Sequence, residues 1–233
     1  MLISNESCLF TDENGILMFF YVDDIIFAYR IDRQQTTEDL IVRLNKMFEF
    51  RDLEEIKHFL EIKVIIHDQN DENRAVYLVQ DAYVDKLIKE YEIKDRETSK
   101  VQIPLPSSCT LIKFDEEVDH QRMHEYRQKV RSICYPATMI RSDIAKTASK
   151  LAEFLINSES DHLIAANHCM RYLQNTKYLR IKYTASDEEE LTIATEDKDK
   201  HVFEITVDAS FANEDDRKSA EKYAFKLFEE LID

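Results

Sequence analysis

The residues best suited to chemistry are Phe20-Tyr21-Val22-Asp23-Asp24, two adjacent carboxylates set between apolar runs. Carboxylate oxygens are hard donors of the kind Mg²⁺ takes. Two such ions held about 3.5–4 Å apart can stabilise the attacking and leaving oxygens of a phosphoryl transfer. The plainer reading of Asp-Asp is a hairpin turn with solvated acids, and two residues alone do not separate the readings. Other candidates are thinner. His120 and His124 are spaced for one helix face but have no third ligand in view. Ser132 and Cys134 lie near His124 without the glycine-rich elbow or orienting acid of a nucleophile. His162 and His168 read as surface or capping residues, and Tyr77, Tyr83 and Tyr91 as core aromatics rather than base-stacking platforms.

The elements that must position these residues follow from periodicity. In residues 15–29 aromatic and β-branched residues flank Asp23-Asp24, which predicts a hairpin with acids at its tip. From Thr36 to Phe48, Leu40, Ile41, Leu44, Met47 and Phe48 have helical spacing, with Thr36 and Asp39 as a capping box. Phe59–Ile66 and Ala75–Val79 read as strands, and Ala82–Tyr91 as a helix. Residues 94–120 hold Pro104 and Pro106, many charges and no sustained period, which predicts a linker. Helical patterns follow at Gln121–Ile133, Asp143–Ile156 and Asp161–Leu173, with Ser142 and Ser160 in N-cap positions. Strand-like runs close the chain at Leu179–Tyr183, Leu191–Ala194 and Val202–Val207. Asp187–Glu190 reads as a solvated turn. The class is α+β.

Composition bounds the rest. The 233 residues are 44% hydrophobic and 33% charged, enough apolar material for a core and a length of one or two domains. The longest apolar run stops at Asp23, far short of the roughly 20 residues of a membrane span, and no signal peptide precedes it. Cys8, Cys109, Cys134 and Cys169 lie far apart, as reduced thiols of an intracellular protein do. The net charge of −16 disfavours nucleic acid overall. Residues 122–150 run against it: Arg122, Arg127, Lys129, Arg131, Arg141, Lys146 and Lys150 suggest either a nucleic-acid track or a solvated helix face. Glycine is nearly absent, with one residue against an average of about 7%.

Across nearly its whole length the chain resembles the reverse transcriptase of copia-type retrotransposons. The resemblance rests on FYVDDII, RDLEEIKHFLEIKV, VYLVQDAYVDKLIKEY, IPLP, YRQKVRSICYPATMIRSDIAKTASKLAEF, HCMRYLQNTK and VDASFANEDDRKS, in that order. It implies a palm and thumb fragment over residues 1–105, a helical connection over 106–200, and the start of a ribonuclease H-like fold over 201–233. It also implies that Asp23 and Asp24 are catalytic Mg²⁺ ligands and that Asp208, in VDAS, is the first ribonuclease H carboxylate. Tyr21 and Val22 would approach the primer end, Phe59 and Leu60 would grip the primer strand, and Arg131 and Arg141 would contact the nucleic acid. The implied partners are an RNA/DNA primer–template and, for a fragment, an intact polymerase.

Measured against that family the chain is expected to lack the fingers, the upstream palm Asp and the later ribonuclease H acids. It should therefore be inactive alone. A non-catalytic module binding nucleic acid or a polymerase partner is the alternative reading. The resemblance also places family glycines at Glu54, Glu61, Arg131, Lys222, Glu229 and Glu230, and a proline at Ser142. Gly to Glu or Arg and Pro to Ser are single G·C to A·T transitions, the signature of a decayed element, although Lys222 needs more than one step. A glycine-poor redesign would look similar. Without glycine, the spacing of Ala220, Tyr223, Ala224, Leu227, Phe228 and Leu231 predicts a helix over Arg217–Leu231.

Overall fold

The computed structural model describes residues 8–13, 15–48, 51, 53, 55–67, 75–94, 101–106, 109–113 and 119–184, and the backbone of 203–210, 220–227 and 230–232. Two compact units divide it, Met1–Ile56 and Lys57–Asp233. The architecture is α+β, with every sheet antiparallel.

In the first unit β1 (Leu9–Thr11), β2 (Leu17–Tyr21) and β3 (Asp24–Ala28) form a meander in sequence order. Gly15, the chain's one glycine, sits where only glycine is free of strain: φ is +76° in the turn before β2. There the Asp12 side chain accepts from the Ile16 N–H at 2.8 Å, and Ile16 is fully buried. The edge of Phe10 meets the ring of Phe20 at 5.3 Å. Helix α1 (Gln34–Asn45) follows a 3-10 turn. It starts two residues before Thr36, so the expected Thr36–Asp39 box does not form. Gln35 instead reaches Asp39 at 3.4 Å on the exposed face.

The second unit carries the main core. Strands β4 (His58–Phe59), β5 (Ile62–His67), β6 (Ala75–Val79) and β7 (Arg180–Thr184) form one sheet in that order. The run Phe59–Ile66, expected as one strand, is broken by a tight turn at Leu60-Glu61. Helix α2 (Asp81–Glu90) leaves β6 directly. Helices α3 (His120–Met139), α4 (Ala145–Ala152) and α5 (Ser160–Asn175) then pack around Val130, Ile133, Ile144, Leu151, Ala166 and Met170, with Val84 of α2 among them. Burying each such large aliphatic side chain contributes about 1.5–3 kcal/mol. The phenol of Tyr126 donates to the Leu151 carbonyl at 2.7 Å across this core.

Several local expectations change here. Helix α3 runs on through Pro136 to Met139, because proline removes one helical hydrogen bond and a neighbour can replace it. The replacement is Tyr83, whose hydroxyl donates to the Ser132 carbonyl left free one turn earlier. Ser142 lies inside a 3-10 turn before α4, and Ser160 is the first helical residue of α5; the N-cap residues are Arg141 for the turn, Ile144 for α4 and Glu159 for α5. The expected linker is a packed strap where it is described. Leu111 is buried, Val101, Leu105 and Cys109 pack on the core, and Asn175 and His168 bond the Val101 and Ile103 carbonyls.

The last sheet overturns the expected C-terminal helix. β8 (Phe203–Ser210), β9 (Ala220–Leu227) and β10 (Glu230–Ile232) pair in the order β10-β9-β8. The run that reads at helical period also alternates, with Tyr223, Phe225 and Leu227 two apart, and eight backbone pairs along β8 decide between the two periods. Local propensity is a weak prior that long-range pairing overrides. Leu191–Ala194 and Asp187–Glu190 lie outside the described residues.

Candidate functional site

The Asp23-Asp24 hairpin forms as expected, and its turn is Val22-Asp23. Tyr21 faces Asp24 across the ladder, then Phe20 faces Ile25 and Phe19 faces Ile26. A two-residue turn with positive φ at its first position alone has the sign pattern of type II′, which favours glycine there. Val22 holds that position at φ +53° and is 88% exposed. A β-branched residue in this region costs about 1–2 kcal/mol. Asp23 and Asp24 are both exposed, at the tip of the β2–β3 ladder. Their oxygens have the right chemistry for Mg²⁺ but are too few to complete octahedral ligation. Among the described residues no group of three or more His, Cys, Asp or Glu side chains could hold a metal ion, and His120 and His124 therefore have no third partner there.

The second tip is the β4–β5 turn. Leu60 and Glu61 both have positive φ, +50° and +57°, which makes it type I′, the turn that most strongly selects Asn-Gly. It persists because α2 and α3 hold it. The Tyr135 hydroxyl donates to the Leu60 carbonyl, and Lys86 reaches Glu61 at 2.8 Å. Tyr83 stacks at a tilt on Tyr135, 5.0 Å between centroids, and its hydroxyl is the one that satisfies Ser132. Burial pushes the Tyr83 phenol up to about 12, with Tyr135 and Tyr91 adding to the shift. Phe59 and Leu60 are thus half-buried residues of a pinned turn.

The basic stretch 122–150 does not form a track. Arg141 is 2% exposed, with its guanidinium on both Asp143 oxygens at 2.8 Å and on Thr176. A side chain so enclosed clamps α5 to the α3–α4 connection. Burial alone would raise the Asp143 carboxyl, but Arg141 and the Tyr172 hydroxyl more than reverse this and hold it low. Lys129 is 4% exposed, bound to Glu125 and Asn167. Arg127 donates to the Leu155 carbonyl, Arg122 pairs with Asp119, and Lys150 pairs with Glu153. Arg131 and Lys146 remain exposed.

Asp208 lies on β8 opposite Lys222 of β9. The remaining thin candidates are structural. The Ser132 hydroxyl bonds Tyr91, and burial raises the Cys134 thiol. His162 is a capping residue as expected but a buried one, 2% exposed, with Nδ1 accepting from the Glu159 N–H at 3.0 Å. The four cysteines are free. No helix of the described residues is long and apolar enough to cross a membrane.

Sequence reasoning missed the pinning residues Tyr83, Lys86 and Tyr135. Their one signal was a glycine-type turn occupied by Leu-Glu, which needs outside support to form.

No protein-family profile matches the chain, and no solved structure matches it. The chain is 27% identical over 184 residues to a transposon Ty5-1 protein of Saccharomyces cerevisiae, an alignment covering 78% of this chain and 56% of the relative. It thus spans a little over half the length of that curated relative. That likeness supports a retrotransposon-derived protein.

Proposed function

We propose that the chain is a fragment of the RNA-directed DNA polymerase of a copia-type retrotransposon, unable to polymerise alone. The observation that carries this reading is the exposed Asp23-Asp24 pair on the β2–β3 hairpin, in the sequence context YVDD. In the parent reaction a primer 3′-hydroxyl oxygen attacks the α-phosphorus of an incoming nucleotide and pyrophosphate leaves. Mg²⁺ bound at such a site would neutralise the attacking and leaving oxygens. In this chain Asp23 and Asp24 would hold it, and Tyr21 and Val22 would border the primer end. Asp208 would be the first carboxylate of a ribonuclease H-like site. The Leu60-Glu61 turn, fixed by Tyr135 and Lys86, would guide the primer strand. With two carboxylates at the tip and no larger cluster among the described residues, the ion would be bound weakly.

Primer extension on poly-rA with Mg²⁺ tests this, comparing the chain with an Asp23→Asn, Asp24→Asn variant. Neither should extend the primer alone. Extension by the chain that the double variant loses would show a complete site and overturn the proposed inactivity.

A further inference from the structure

We propose that one face of the β4–β7 sheet binds the sugar–phosphate backbone of a nucleic-acid strand. Directly opposed residues of an antiparallel sheet share a face, and every second row returns to it. The rows His58–Lys63–Val79–Arg180, Ile65–Tyr77–Lys182 and His67–Ala75–Thr184 therefore lie on one face. That face carries Lys63, Arg180 and Lys182, joined by His58 and His67, and no acid. The opposite face, from Phe59, Ile62, Val64 and Ile66 to Val76, Leu78, Ile181 and Tyr183, is apolar apart from the Tyr183 hydroxyl. Arg180, Lys182, His58 and His67 are exposed and Lys63 is half-buried. None of the three cations has a carboxylate partner among the described residues, unlike Arg122, Lys129, Arg141 and Lys150 of the helical layer.

Charge and geometry argue for a polyanion. In a chain of net charge −16, a sheet face whose three cations have no carboxylate partner among the described residues, and whose strands place no acid on it, runs against the whole-molecule field. Arg180 is held rather than free: its guanidinium lies 4.0 Å from the Tyr77 ring centroid, and His67 meets the same ring edge-on at 6.1 Å. A stacked guanidinium keeps its N–H fork available for phosphate oxygens, so the ring orients it at little cost in binding. Arg180 and Lys182 lie two residues apart on β7, so their backbone positions are about 7 Å apart along one line.

This inference does not rest on the polymerase reading, and its test uses neither nucleotide nor Mg²⁺. The full chain is titrated into a fluorescein-labelled oligothymidylate, read by anisotropy from about 50 to about 200 mM salt. Two triple variants remove equal charge: Lys63→Gln with Arg180→Gln and Lys182→Gln, and, at exposed lysines elsewhere, Lys46→Gln with Lys89→Gln and Lys113→Gln. The first should weaken binding at least tenfold at low salt. It should also flatten the slope of log affinity against log salt by about 2, at roughly 0.7 per cation for a single strand. The second should leave the slope unchanged. Lys182→Glu alone, an exposed site, keeps the test open if the triple variant fails to fold, and should weaken binding severalfold. No binding by the parent chain, or equal losses from both triples, would overturn the proposal.

Discussion

At the scale of single residues the fold is under backbone strain at identifiable places. Among the described residues four that are not glycine have left-handed φ: Val22, Leu60, Glu61 and Glu92. Glu92 ends α2 in a Schellman arrangement, with its N–H on the Lys89 carbonyl and the Ile93 N–H on the Ile88 carbonyl, the position where helices most favour glycine. Glu61→Gly and Glu92→Gly should each stabilise the protein by about 1 kcal/mol, read as a higher urea midpoint at unchanged slope. The Lys86 ion pair lost with Glu61 is exposed on both sides and offsets little. Arg131 is the counter-case among the positions assigned to family glycines. It lies inside α3, where glycine costs about 1 kcal/mol, so Arg131→Gly should destabilise. If all three substitutions shifted stability in one direction, local conformation would not be the cause. Only some of the missing glycines, then, cost the fold anything.

At the scale of elements, stability hangs on a few buried polar joints. Tyr83→Phe should cost about 1 kcal/mol, because the Ser132 carbonyl freed by Pro136 would lose its donor. An unchanged melting temperature would mean that water replaces the phenol without cost. His162 caps α5 only when its Nδ1 is unprotonated, since that nitrogen accepts from Glu159. Burial pushes the imidazole down, with the Glu159 and Asp161 carboxylates opposing. The unfolded chain therefore takes the proton first as pH falls below the ordinary value of about 6.5, and stability falls with pH through that window. His162→Gln should flatten the dependence of the urea midpoint between about pH 7 and pH 5. Equal slopes in both proteins would show that the cap does not titrate.

These joints also mark what the sequence could disclose. The Asp23-Asp24 hairpin, α1, α2 and the three-helix layer were legible because their apolar residues keep one period over many positions. The turn at Leu60-Glu61 was not, since its residues carry no turn chemistry and Tyr135, 75 residues away, supplies the support. Nor was the fate of Arg141, because a basic residue reads alike whether it faces solvent or Asp143. At Ala220–Leu227 both periods fit, and the pairing with β8 decided.

At the scale of the whole molecule the dominant fact is 47 acidic against 31 basic residues. Self-repulsion at net −16 disfavours the compact state, and it is strongest at low ionic strength. The exposed ion pairs gain little to set against this, because such pairs contribute about 0–1 kcal/mol and weaken in salt. The joints at Arg141–Asp143 and Lys129–Glu125, each with its cation buried and its carboxylate partly exposed, are screened less than the fully exposed pairs and should lose less to salt. Raising ionic strength from about 0.01 to 0.15 M at neutral pH shortens the Debye length from about 30 to 8 Å. The melting temperature should therefore rise, by a few degrees if the relief is about 1 kcal/mol. Replacing Glu188, Glu189 and Glu190 with Gln thins the longest run of like charge and should reduce that gain. Calorimetry across the salt series decides: a melting temperature that falls with salt would mean that ion pairing outweighs repulsion.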